Sequence, residues 1–265
     1  MKKNILISIL LFQYHLIFCQ TIEKPMINDP EISSLIESSN TKFRDGDYSG
    51  AINDFNQIIE KDLINCSWTY SQRAFYKGLN KDYYGSIADY THAIENENFC
   101  QFTFNDDEIP HATLDVDLYG LYFSRGKAKM NIDDFIGAIL DFNQSVKNKK
   151  YSEAFYERGN AKLFLQDYRG AISDYNTFLK LKNYSINNDI YFYRGCAKYE
   201  LKDYSGALLD INMFLKKENE DALGYLQRGL IKVALNQKHN ACMDFSKAGE
   251  LGNEEGYKMI KKHCN

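Results

Sequence analysis

Apolar and small side chains return along most of this chain at spacings of three, four and seven residues. That is the rhythm of one face of an α-helix. Residues 193–215, YRGCAKYELKDYSGALLDINMFL, show the unit: one periodic segment, a short polar cluster, then a second periodic segment. Clusters such as GDYSG at 46–50 and KDYSG at 202–206 read as tight turns. The pattern therefore predicts a helix, a turn and an antiparallel helix. One such hairpin cannot bury its own apolar face, so neighbouring hairpins must stack.

The unit recurs in register. Arg125-Gly126 is followed by Phe135, Ala138, Asp141 and Phe142, and Arg158-Gly159 by Tyr168, Ala171, Asp174 and Tyr175 at the same offsets. Arg194-Gly195 leads to Tyr204, Ala207, Asp210 and Ile211, and Arg228-Gly229 to Lys238, Ala241, Asp244 and Phe245. Arg73-Ala74 leads to Tyr83, Ser86, Asp89 and Tyr90. A sixth copy opens the series, with Ser38 in place of the arginine and Tyr48, Ala51, Asp54 and Phe55 in step. Successive arginines lie 52, 33, 36 and 34 residues apart. The first interval is one unit of about 34 residues plus an insertion of about eighteen. Three residues before each arginine stands an aromatic: Tyr70, Tyr122, Phe155, Tyr191 and Tyr225.

The aromatic, the glycine four later, and the Ala-x-x-x-Phe of the second segment (Ala51 and Phe55, Ala138 and Phe142, Ala241 and Phe245) resemble the tetratricopeptide repeat family. The resemblance covers about residues 32–249. It implies an all-α, right-handed α-solenoid of about six helix-turn-helix repeats, which a helix at roughly 253–263 would cap. There are departures: arginine stands where the family has leucine, Lys129, Lys162 and Lys198 where it has tyrosine, and its closing proline is missing.

An arginine and an aspartate sixteen apart, with the turn midway, sit opposite each other in a hairpin. Five repeats carry the pair: Arg73 with Asp89, Arg125 with Asp141, Arg158 with Asp174, Arg194 with Asp210, and Arg228 with Asp244. Equivalent active sites strung along a scaffold have no use, whereas a scaffold needs the same fastening in every unit, so the pairs read as structural. The alternative is a pair between repeats, Arg194 with Asp174. The segment DGDYSGAINDFN at 45–56 mimics a calcium loop but ends on Asn56, where a bidentate acid is required.

The chain opens MKKNILISILLFQYHLIFCQ, two lysines before an interrupted apolar run. This is the layout of a secretory signal peptide over residues 1–19, followed by a linker at 20–31 and the repeat array at 32–265. A lipid anchor at Cys19 is the rival reading, against which Phe18 argues. No other segment is apolar enough to span a bilayer. Without residues 1–19 the charge is 30 basic against 36 acidic side chains, since only Lys2 and Lys3 are lost from the 32. An acidic chain without a basic stripe does not suit nucleic acid.

The insertion, about 95–118, holds seven acids and no lysine or arginine. The histidines lack metal-ligand spacing, and no hydrolase, phosphate-loop or dinucleotide motif occurs, so neither a metal nor a cofactor is expected. Export permits disulfides. Cys242 and Cys264 form one if the C-terminal helix packs back on the last repeat, and otherwise remain two thiols.

The expected function is non-catalytic binding of a protein or peptide at the cell envelope. Two rivals are a lipoprotein that takes a glycan on exposed aromatics, and a subunit of an envelope enzyme. The family resemblance places the binding residues on a concave face lined by first helices. Carried over, these are Trp68, Phe75, Phe123, Met130, Tyr156, Leu163, Phe192 and Tyr199, with Lys127, Asn131 and Asn160 among them.

Overall fold

The computed structural model describes residues 30–61, 67–95, 117–148, 151–181 and 188–264. The signal peptide, Cys19, Cys66, Cys100 and most of the acidic insertion lie outside them. Among the described residues there are thirteen α-helices and no strand. They are α1 Pro30–Arg44, α2 Tyr48–Glu60, α3 Ser67–Leu79, α4 Tyr83–Glu95, α5 Leu118–Met130, α6 Phe135–Ser145 and α7 Glu153–Phe164. The series continues with α8 Tyr168–Leu181, α9 Asp189–Glu200, α10 Tyr204–Leu215, α11 Ala222–Ala234, α12 Lys238–Glu250 and α13 Glu254–His263. α1 begins inside the stretch read as a linker, on Pro30, which suits a first helical position because its missing N–H has no intrahelical partner there.

The chain divides into two compact units, Met1–Asp117 and Leu118–Asn265. The first contains the hairpins α1–α2 and α3–α4. The second contains α5–α6, α7–α8, α9–α10 and α11–α12, closed by α13. Within each unit a first helix packs on its own second helix, and that second helix packs on the next first helix.

Five of the six described hairpin turns are built by the same chemistry, and in the last Gln237 stands at the cap without a side-chain hydrogen bond. The aspartates Asp47, Asp82, Asp134, Asp167 and Asp203 accept hydrogen bonds at 2.8–3.0 Å from the backbone N–H of Gly50, Gly85, Gly137, Gly170 and Gly206. A side-chain acceptor there satisfies a helix N–H that has no carbonyl partner. Asp47, which gave residues 45–56 their likeness to a calcium loop, is thus a helix cap. The residue immediately before the cap takes a left-handed backbone in every turn: Gly46 with φ 79°, and Lys81, Asp133, Gln166, Lys202 and Asn236 with φ 58–64°. Only the first of these is a glycine.

The core of each hairpin is one large side chain under the first helix. Phe55, Phe142, Tyr175, Ile211 and Phe245 are all at most 1% exposed. Phe142, Tyr175, Ile211 and Phe245 sit against the glycine that follows the arginine. A methyl group on Gly229 would stand 2.4 Å from the Phe245 ring, and one on Gly159 2.6 Å from Tyr175. The helices approach that closely because no side chain intervenes. At the C-terminus Cys242 of α12 is disulfide-bonded to Cys264, just beyond α13, which ties the capping helix to the last repeat. Cys196 carries a free thiol whose pKa burial pushes up to about 12, so it is not a nucleophile at neutral pH.

Candidate binding face on the first helices

The recurring arginines form a ladder. Nε and a terminal nitrogen of Arg73, Arg125, Arg158, Arg194 and Arg228 donate to the two carboxylate oxygens of Asp89, Asp141, Asp174, Asp210 and Asp244 at 2.5–3.0 Å. The pairing is within the repeat, and Arg194 takes Asp210 rather than Asp174. The aspartates are at most 5% exposed, so each needs its partners.

Three further contacts complete a rung. The lysine four residues after the arginine reaches the same carboxylate: Lys77, Lys129, Lys162, Lys198 and Lys232 lie 2.7–2.8 Å from it. This explains lysine where the repeat family has tyrosine. Next, Arg73, Arg158, Arg194 and Arg228 each donate to an asparagine of the preceding repeat (Asn56, Asn143, Asn176 and Asn212) at 2.7–3.2 Å. One guanidinium thereby joins two hairpins. Lastly, each guanidinium carbon stands 5.0–5.6 Å over the aromatic ring three residues earlier. In the first hairpin the Ser38 hydroxyl and the Lys42 amine fill the arginine's role on Asp54, at 2.8 and 2.7 Å.

These contacts alter the reading of the aromatic row. Trp68 is not on an open face: it is 7% exposed and packs on Phe55 of the preceding hairpin. The aromatics three before each arginine lie under the guanidinium, and Phe155, Tyr191 and Tyr225 also pack against the cores. The row beside them fills part of the core as well. Phe123 lies 6.0 Å from Phe142, Tyr156 6.2 Å from Tyr175 and Phe192 5.2 Å from Phe214, each half-buried. Met130, Leu163 and Tyr199 are also half-buried against the same cores. Phe75 is 42% exposed, beside Phe43 and Tyr76. Lys127 is exposed with its amine 5.7 Å over the Phe123 ring, and Asn131, also exposed, donates to the Lys127 carbonyl at 2.9 Å.

In the second unit this face gathers Glu157 and Tyr193, which the sequence did not single out, around Asn160, which it did. The Tyr175 hydroxyl donates to Asn160 Oδ1 at 2.9 Å, and Asn160 Nδ2 donates to Glu157 at 3.4 Å. The Tyr193 ring of α9 stands 6.4 Å from the Tyr156 ring of α7. Burial raises the Glu157 pKa, and the nearby Lys127 charge opposes that rise. Burial also raises Tyr156, to about 12, and Tyr193, and in both cases the charges of Glu157 and Asp189 add to the rise. Glu157 and Tyr193 occupy equivalent positions, one residue before the arginine. A row taken two before it passes over them.

Helix hairpins repeated in register, with no strand among the described residues, define an α-helical repeat solenoid. Its arrangement is shared with known structures. PilF of Pseudomonas aeruginosa is similar at 11% identity and a TM-score of 0.65, over 88% of this chain and 97% of that one. YrrB, described as a TPR protein with an unusual peptide-binding site, is similar at 14% identity and a TM-score of 0.62, over 78% and 97%. The C-terminal part of a TPR repeat-containing protein from Cytophaga hutchinsonii is similar at 17% identity and a TM-score of 0.61, over 86% and 83%. No family model matches the chain, and no curated protein matches it. The fold is that of the tetratricopeptide repeat proteins.

Proposed function

We propose that this protein is a non-catalytic scaffold of the cell envelope that binds a protein or peptide partner on the first helices of its second unit. The observation that carries the reading is the face of α5, α7 and α9, which presents the half-exposed rings of Phe123, Tyr156, Phe192 and Tyr193 together with Glu157, Asn160 and Lys127. Aromatic anchors with a few oriented polar groups are the composition of a binding hot spot. The fold supports a protein partner, since YrrB is described as having a peptide-binding site. The apolar, lysine-led start of the sequence supports export. No helix among the described residues is long and apolar enough to cross a membrane, and the described residues hold no cluster of metal-ligand side chains.

Crosslinked capture of partners from the native envelope tests this reading, with Phe123→Ala, Tyr156→Ala and Phe192→Ala against the parent chain. All three rings share in the core, so each variant melts lower and capture is compared well below its melting point. Loss of the same partners in all three supports the face. Unchanged capture by three folded variants removes it.

A further inference from the structure

We infer that this face docks its partner through an arginine side chain, held against the adjoining Tyr156 and Tyr193 rings with its charge on Glu157. The inference rests on the protein-binding reading above and names the chemistry of the bound segment. The ladder is its internal template. Five times in this molecule a guanidinium is held by an aromatic ring face and a carboxylate, four of them with an asparagine side-chain oxygen as well. The same three kinds of group meet at Tyr156, Tyr193, Glu157 and Asn160, and no guanidinium of the chain enters there. Among the described residues Glu157 makes no salt bridge, and Asn160, at 3.4 Å, is its hydrogen-bond partner. The nearest cation, Lys127, has its amine over the Phe123 ring.

Charge complementarity points the same way. Glu157 and Asp189 act together on the two tyrosines, and Glu200 acts on the adjacent Cys196 and Tyr199. The Lys127 charge opposes Glu157. A half-buried carboxylate beside aromatic rings is unfavourable by itself and becomes favourable once a cation shares the site. Arginine fits better than lysine: its planar, weakly hydrated guanidinium stacks on a ring face while donating in-plane to the carboxylate.

The probe is a fluorescein-labelled Gly/Ser nonapeptide containing two arginines, beside an identical peptide with citrulline, which keeps the shape and loses the charge. Anisotropy titrations use the full chain and its Glu157→Gln, Tyr193→Leu, Tyr156→Ala and Glu254→Gln variants. The arginine peptide is expected to bind about tenfold tighter than the citrulline peptide, the equivalent of one partly desolvated charge contact. Glu157→Gln should erase that difference, Tyr193→Leu should weaken the arginine peptide, and Glu254→Gln, which removes one charge from α13, should leave binding unchanged. Equal weakening by Glu157→Gln and Glu254→Gln would mean attraction by overall charge and overturns the inference. No measurable binding of the arginine peptide also overturns it, whatever the envelope capture shows. If both peptides bind equally and Tyr156→Ala weakens both, the docking face stands and its arginine preference falls.

Discussion

Arg158 and Glu157 are neighbours on α7 and stand in opposite circumstances. Arg158 has both oxygens of Asp174, the Asn143 amide and the Phe155 ring, and Lys162 balances the same carboxylate from the other side. Glu157 has one long hydrogen bond and the charge of Lys127, with which it makes no salt bridge among the described residues. One rotation along the helix separates a saturated polar site from an unsaturated one. A charge that is fully partnered contributes register, and removing a partner is expensive. A half-partnered charge detracts from stability, so its presence calls for a role outside the fold. Each experiment below breaks one side of this contrast.

The largest effect is expected at the carboxylate of a rung. Asp174→Ala leaves Arg158 and Lys162 facing each other with no anion, and should destabilise by about 3–5 kcal/mol. Arg158→Ala should cost less, because Lys162 still covers Asp174 at 2.7 Å. The double variant should lose clearly less than the sum. Urea unfolding of the four proteins measures this cycle, and a coupling near zero would mean that the rung has no energetic content.

α13 carries no rung, and its tie is covalent. Replacing Cys242 and Cys264 together by serine opens a loop of about 22 residues and should destabilise by about 3 kcal/mol in the loop-entropy model. Unfolding with and without reductant should reproduce that loss in the parent and show none in the variant. An unchanged parent under reduction would mean that packing of α13 alone holds the end.

Much of the rung was legible, because a constant separation of sixteen residues in a hairpin has one geometric meaning. The second cation was in plain view as Lys129, Lys162 and Lys198 but looked like a departure from the repeat family. Its purpose needs the distance to the aspartate. The binding row was less legible. Whether a residue on a first helix faces solvent depends on how that helix tilts against the preceding second helix, which spacing does not encode. Trp68 shows this: its offset from Arg73 suits an inner face, yet Phe55 of the preceding hairpin covers it. Glu157 and Tyr193 were missed for the same reason.

A smaller effect separates the turns. Gln166, in the turn after α7, holds φ at 61° where Gly46 in the first turn holds 79°. A left-handed backbone costs an ordinary residue about 1–2 kcal/mol, and glycine avoids this at some loss of unfolded-state entropy. Gln166→Gly should therefore stabilise by up to about 1 kcal/mol. A lower melting temperature for this variant would mean that the Gln166 side chain contributes more than its backbone strain removes.

The last expectation has the opposite sign from the rung's. Burial raises the Glu157 pKa above its ordinary 4.5, so the folded protein holds that proton more tightly than the unfolded chain does. Between 4.5 and the raised value the native state binds more protons, and stability falls as pH increases through that window. Glu157→Gln has no proton to lose. Its melting temperature should match the parent's at pH values where Glu157 is protonated in both states. It should exceed the parent's, by a margin that grows and then levels, as pH rises toward neutrality. Acid-induced losses from the other carboxylates are common to both proteins and cancel in the difference. Parallel melting curves across the whole range would show that the Glu157 charge is already compensated in the fold. A gap that opens above pH 4.5, together with weaker arginine-peptide binding in the same variant, would separate what this carboxylate does for the partner from what it does to the fold.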